Sequence, residues 1–244
     1  MSAQNTIQIS GKLINENQLL VSFSVLPGSD PHELGCFIAI WKGQDFLSAA
    51  ESQQVIRIGS NQQAGEVVFD DLTLGHDYII GFGLGLHTNT EAVCASLILP
   101  AHAAVTDELL VTLSNITVIP DEIGTDFLIA QLPVLFCRKL SRTDSWIALF
   151  NGPFTSGMYD GSNVIAINKV NPHRNSGKII MNNILGRLER FETYTLVLGM
   201  GLNHYGYPDF SRLVSSHTFI VWKSKIYAGH NTSGTRNNLL SMFI

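Results

Sequence analysis

Charge is scarce in this chain of 244 residues, of which only 14% are Asp, Glu, Lys or Arg. The net balance is −5, which excludes a general nucleic-acid binder, since such a protein displaces counterions with excess Lys and Arg. Cysteine is equally rare. Cys36, Cys94 and Cys137 form no close pair and no metal-ligand spacing, so buried, reduced thiols are expected rather than a disulfide framework or a metal centre. Long apolar runs are missing too. No stretch reaches the roughly 18 consecutive apolar residues of a membrane span, and the opening MSAQNTIQIS has neither the charged start nor the apolar core of a signal peptide. The expected location is the cytoplasm, or the exterior by a route without a recognisable signal.

Catalytic signatures are also absent. HExxH, GxSxG and paired Cys/His clusters do not occur, and the eight histidines are scattered. Asp70 and Asp71 are adjacent, so on a strand they point to opposite faces and cannot form a carboxylate pair. The runs GFGLGL (81–86) and GMGLNHYG (199–206) look like phosphate loops, but neither leads into a helix. Their glycines are expected to lie on one side of a strand and admit a close neighbour. No nucleophile, base and orienting residue can be placed together. The sequence therefore predicts a non-enzymatic protein without a cofactor.

What is present is an apolar fraction of 45%, enough for a sizeable core, and an internal duplication. FIAIWKG (37–43) matches WIALFNG (146–152) at an offset of 109, which also carries Ile7 onto Ile116, Leu19 onto Leu128, Val25 onto Val134 and Val55 onto Val164. Further on, loop insertions widen the offset to 116 between Tyr78 and Tyr194. Residues 1–100 hold Lys12, Lys42 and Arg57 against ten acids, a balance of −7, while the remainder carries +2. This asymmetry could orient one half, or one subunit, against another.

Each repeat reads as about seven short strands separated by turn signals, in the first at roughly 5–14, 18–25, 35–42, 54–58, 65–70, 77–84 and 93–99. Leu19, Val21, Phe23 and Val25 alternate with Leu20, Ser22 and Ser24, as a half-buried strand requires. Helical periodicity is weak, and the segments AAESQQ (49–54) and HAAVTDELL (102–110) allow a turn or two at most. The fold class is all-β: two tandem antiparallel β-sandwiches with a C-terminal extension. The expected domains are 5–100 and 113–222, joined by a linker at 101–112 and followed by a tail at 223–244. That tail is a polar spacer ending in LLSMFI, and its apolar end predicts a homo-oligomer held by exchanged tails.

The segment EVVFDDLTLGHDYIIGFGLGL (66–86) has Leu72 and Gly75 ahead of Tyr78, which opens the next strand. This arrangement resembles the tyrosine corner of fibronectin type III-like and immunoglobulin-like sandwiches, and Lys178 to Leu202 repeats it with Tyr194. The resemblance implies a phenol hydroxyl bonded to the loop backbone in each half. Trp41 and Trp146 resemble the core aromatic of the third strand, and because they sit at opposite ends of their matched segments, at most one occupies that place. Finally, the resemblance implies that three loops gather at one end of the second sandwich.

Those loops carry the candidate binding residues: Arg138 and Arg142 in the first, Asn171, His173 and Arg174 in the second, and Asn203, His204, Tyr205, Tyr207 and Asp209 in the third. Rigid aromatic rings beside adaptable polar groups make a recognition surface and suit sugar stacking. The competing expectation is that the same loops contact the bottom of the acidic first repeat. The functional expectation is therefore an adhesion-type binding protein for a carbohydrate or surface ligand. The alternatives are a self-assembling structural protein, and a toxin or virulence component acting on a receptor or membrane. GPFTSGMYDGSN (152–163) is read as a turn around Asp160-Gly161.

Overall fold

The computed structural model describes residues 3–43, 51–73, 75–85, 87, 88, 90–105, 107, 109–132, 144–170, 177–182, 184 and 188–222. Cys137, the tail from 223 and five of the candidate binding residues (Arg138, Arg142, Asn171, His173 and Arg174) lie outside that set. Among the described residues nine strands fill the first part: β1 Ala3–Thr6, β2 Gln8–Asn15, β3 Gln18–Ser24, β4 Phe37–Lys42, β5 Gln54–Arg57, β6 Ala64–Phe69, β7 Tyr78–Gly83, β8 Val93–Leu99 and β9 Leu110–Leu113. Seven follow: β10 Thr117–Ile123, β11 Leu128–Leu132, β12 Trp146–Asn151, β13 Val164–Lys169, β14 Gly177–Met181, β15 Thr193–Gly199 and β16 Leu213–Ile220. All seven strands read from the first repeat are present, within two or three residues at each end. AAESQQ and HAAVTDELL form no helix in their described residues.

The strands make four antiparallel sheets, and the two halves share one order. A three-stranded sheet, β2-β3-β6, faces a five-stranded one, β5-β4-β7-β8-β9; in the second half β10-β11-β14 accompanies β13-β12-β15-β16-β1. Alternation builds the inner faces. Leu19, Val21 and Phe23 of β3 point inward to meet Cys36, Ile38 and Ile40 from the opposite sheet and Tyr78, Ile80 and Phe82 of β7. Ile147 and Leu149 of β12 and Leu196 and Leu198 of β15 occupy the corresponding core of the second half. Turn chemistry closes the hairpins: the Asn15 Oδ1 accepts the Asn17 N–H at 3.0 Å between β2 and β3.

The outer strand of each five-stranded sheet is a segment that immediately precedes the first strand of the other half's three-stranded sheet. β9 runs toward β10 yet pairs with β8, and β1 runs into β2 yet pairs with β16, Ala3 facing Thr218 and Thr6 facing Ser215. Only Ile7 separates β1 from β2. Its N–H bonds the Val214 carbonyl at 3.1 Å while its side chain is buried in the first half's core. The chain therefore crosses between the halves twice.

Both corners are formed. Tyr78 Oη donates to the Thr73 carbonyl at 2.9 Å, and Tyr194 Oη accepts the Glu189 N–H at 3.0 Å. Removing either hydroxyl leaves a backbone group short of a partner, so Tyr78→Phe and Tyr194→Phe should each lower stability by about 1–2 kcal/mol in urea titrations. An orphaned N–H is less well tolerated than an under-satisfied carbonyl, so Tyr194→Phe should cost more.

Neither tryptophan is the inter-sheet core aromatic. Trp41 packs with Phe37, Ala39, Ile79 and Val93, and Trp146 with Ala148, Phe150, Val197 and Leu213, both on the outward faces of the five-stranded sheets. The inward positions of β4 and β12 belong to aliphatic side chains, Ile38 and Ile40 in the first half and Ile147 and Leu149 in the second.

Candidate functional site at the loop end of the second half

The hairpin joining β15 to β16 is braced at three levels. At its base the Met200 N–H bonds the Arg212 carbonyl at 3.1 Å, and the Asp209 N–H bonds the Gly201 carbonyl at 3.2 Å. Midway, Leu202 and Pro208 form an isolated antiparallel bridge. At the tip the Asn203 N–H bonds the Tyr207 carbonyl at 2.7 Å, and the Gly206 N–H bonds the Asn203 carbonyl at 2.9 Å. The side chain of Asn203 completes the turn, its Oδ1 accepting the N–H groups of Tyr205 at 3.0 Å and Tyr207 at 3.1 Å. Five residues are thereby fixed around one amide, a use of Asn that follows from its ability to mimic backbone.

This frame holds aromatic rings out in solvent. Tyr205 is 73% exposed and Tyr207 41%, and the His204 ring lies over Tyr205 with centroids 3.6 Å apart. Asp209 has a different place. Its Oδ1 accepts the Ser211 Oγ–H at 2.5 Å and the Ser211 N–H at 3.2 Å, while Oδ2 lies 3.1 Å from Arg212 Nε. The structure therefore gathers Asn203, His204, Tyr205 and Tyr207 at the tip and puts Asp209 in the supporting base.

Beneath the hairpin, Phe210 packs edge-on against Trp146 at 4.9 Å and Phe150 at 5.9 Å. The segment read only as a turn at 152–163 does more than reverse the chain. It forms a 3-10 turn, Ser156–Asp160, ended by Gly161 in the left-handed region (φ 73°). Phe154, Met158 and Tyr159 pack with the same outer cluster. Its small and turn-forming residues masked the apolar pattern of those three.

The loop end also meets the first half, though not at the end expected. Met200 and Val214 belong to the first half's core cluster. A Cβ on Gly85, in the loop that follows β7, would stand 3.3 Å from the Arg212 guanidinium carbon. A Cβ on Gly28, between β3 and β4, would stand 3.3 Å from Ser156 Cβ and 3.6 Å from the Tyr159 ring. The halves thus meet through corresponding ends, which corrects the head-to-tail contact with the bottom of the first repeat. The crossing at Ile7 imposes this geometry, because it ties the start of β2 to the start of β16.

Within this contact, burial pushes the Cys36 thiol up to about 12, the Arg212 charge only partly opposing it. Such a thiol is not a nucleophile at neutral pH. Burial likewise raises the Tyr159 phenol. Among the described residues no group of three or more His, Cys, Asp and Glu side chains could hold a metal ion. No helix there is long and apolar enough to cross a membrane.

No family model matches the chain, and no curated protein matches it. Solved structures to which it is similar include the FN1–FN3 domains of chicken CNTN1, at 8% identity and a TM-score of 0.28 over 89% of this chain and 67% of that one. Another is a two-domain fibronectin type III segment of chicken tenascin, at 9% identity and a TM-score of 0.26 over 87% of this chain and 96% of that one. Its own strand order and two tyrosine corners give this chain an all-β, fibronectin type III-like and immunoglobulin-like architecture.

Proposed function

We propose that the protein is a non-enzymatic binding protein that takes a carbohydrate or surface ligand at the tip of the β15–β16 hairpin. The pre-organised aromatic tip carries this reading: His204, Tyr205 and Tyr207 project from a turn that Asn203 has already ordered, so little entropy is lost when a ligand settles on the rings. A sugar's C–H face suits such a stack, and the Asn203 amide offers a directional polar partner beside it. Arg138, Arg142, Asn171, His173 and Arg174 belong to the same proposed surface. The reading takes 5–100 and 113–222 as two domains and 223–244 as a subunit contact in a homo-oligomer, which light scattering would detect.

The second reading is that this end serves the contact between the halves and no ligand, and the seating of Arg212 against Gly85 favours it. One experiment separates the two. Under the ligand reading, Tyr205→Ala and Tyr207→Ala should each weaken binding on a glycan array by about tenfold or more at unchanged melting temperature, in keeping with the dominance of exposed aromatic anchors. Under the contact reading, Arg212→Ala should split the unfolding of the two halves while both Tyr variants leave it intact. A glycan signal indifferent to both tyrosines would overturn the first reading.

A further inference from the structure

The seam between β1 and β16 is poorly matched in a way that its counterpart is not. Four buried side-chain polar atoms have no hydrogen-bond partner among the described residues, and three of them sit on this seam: Thr6 Oγ1, Ser216 Oγ and His217 Nδ1. In register, Thr6 faces Ser215, Asn5 faces Ser216 and Gln4 faces His217. Ser215 Oγ does bond the Asn5 carbonyl at 3.3 Å, as Ser114 Oγ bonds the Cys94 carbonyl beside β9, but none of the four unpartnered atoms lies on the β8–β9 seam. Each buried polar group without a partner weakens the surrounding structure. β1 and β9 are each four residues long, so strand length does not distinguish the two seams.

His217 makes this weakness responsive to protons. It is 8% exposed and stacks on Phe219 with centroids 6.1 Å apart. Among the described residues, the elements packed around it offer no anion to an imidazolium. β1 and the rest of β16 have no titratable side chain, and β15 supplies only the Tyr194 phenol, already bonded to Glu189. β10 carries Asp121, which is exposed, and Glu122, which lies 2.8 Å from Lys178. A second proton on His217 would therefore place an unpaired cation in a buried seam, a strongly unfavourable state.

We propose that the β1–β16 seam is an acid-released clasp: protonation of His217 expels Ala3–Thr6 from the edge of β16, loosening one of the two crossings between the halves.

The direction follows from linkage. Burial holds the His217 imidazole below its ordinary value of 6.5, so the open form binds the proton more readily than the closed form. The clasp is fully closed above about pH 6.5 and weakens as the pH falls from there toward the lowered value, by up to tenfold per pH unit for one proton. Hydrogen exchange on the full chain between pH 7.5 and 5, corrected for the intrinsic pH dependence of amide exchange, tests this. Residues 3–6 should lose protection by about tenfold or more while residues 110–113 keep theirs, and His217→Phe should abolish the loss. If His217→Phe does not fold, His217→Gln serves, since it too cannot be protonated. Equal loss at β9, equal loss in the variant, or no loss at pH 5 would overturn the proposal.

Discussion

Trp146→Ala is expected to destabilise the second half by about 3–5 kcal/mol, the range for deleting a fully buried aromatic side chain. The indole is wholly buried, its Nε1 donates to the Gly201 carbonyl at 3.0 Å, and it packs against Phe210 beneath the β15–β16 hairpin. Deletion opens a cavity, removes one of the two hydrogen bonds to the Gly201 carbonyl and takes away the floor of the tip, so ligand binding should fall with stability. Trp146→Phe copies the first half, where Phe37 occupies the same place over its own glycine. It should recover most of the stability while leaving the Gly201 carbonyl with the Asp209 N–H alone. Denaturant unfolding with slope analysis separates the two variants.

Gly199→Ala should be nearly as damaging for the opposite reason. A Cβ there would fall 2.1 Å from Trp146 Cζ2, and one on Gly83 would fall 2.2 Å from Phe37 Cζ. Both rings are enclosed and cannot retreat, so one methyl group forces backbone displacement, with a cost of about 1–3 kcal/mol or more. Combining Gly199→Ala with Trp146→Ala should make the added methyl nearly harmless. A double-mutant cycle without measurable coupling would show that the ring does not set the limit.

These paired positions show what the sequence made legible. The match of FIAIWKG to WIALFNG aligned Phe37 with Trp146, and the alternating glycines announced a close neighbour, so the contact was readable in outline. The face was not. β4 and β12 are apolar on both sides, and a continuous apolar run carries no parity from which inward and outward positions can be told apart. That is why the run could not tell whether either tryptophan faces the inter-sheet core. The corners were legible because a local pattern, Leu-x-x-Gly-x-x-Tyr in the first repeat, encodes them. β1 and β9 were not, because AQNT and LVTL are too short to alternate and owe their pairing to distant edges. The aromatic composition of the tip was visible, but the role of Asn203 as its brace emerges only from distances. The meeting of corresponding ends depends on the Ile7 crossing, which no periodicity records.

That crossing also decides how the protein sits in anything larger. Because β1 lies antiparallel against β16, Ala3 is beside Thr218, and the backbone emerges past Trp222 on the same side of the molecule. A chain entering at Ala3 and leaving at Trp222 therefore makes a U-turn. Whatever is attached at the two points stands shoulder to shoulder, unlike beads threaded along a cord. Tension between those points would part β1 from β16 one hydrogen-bonded pair after another, as a zipper opens, whereas strands gripped from opposite ends share the load across all their bonds at once. Mechanically the molecule is a latch, not a rod.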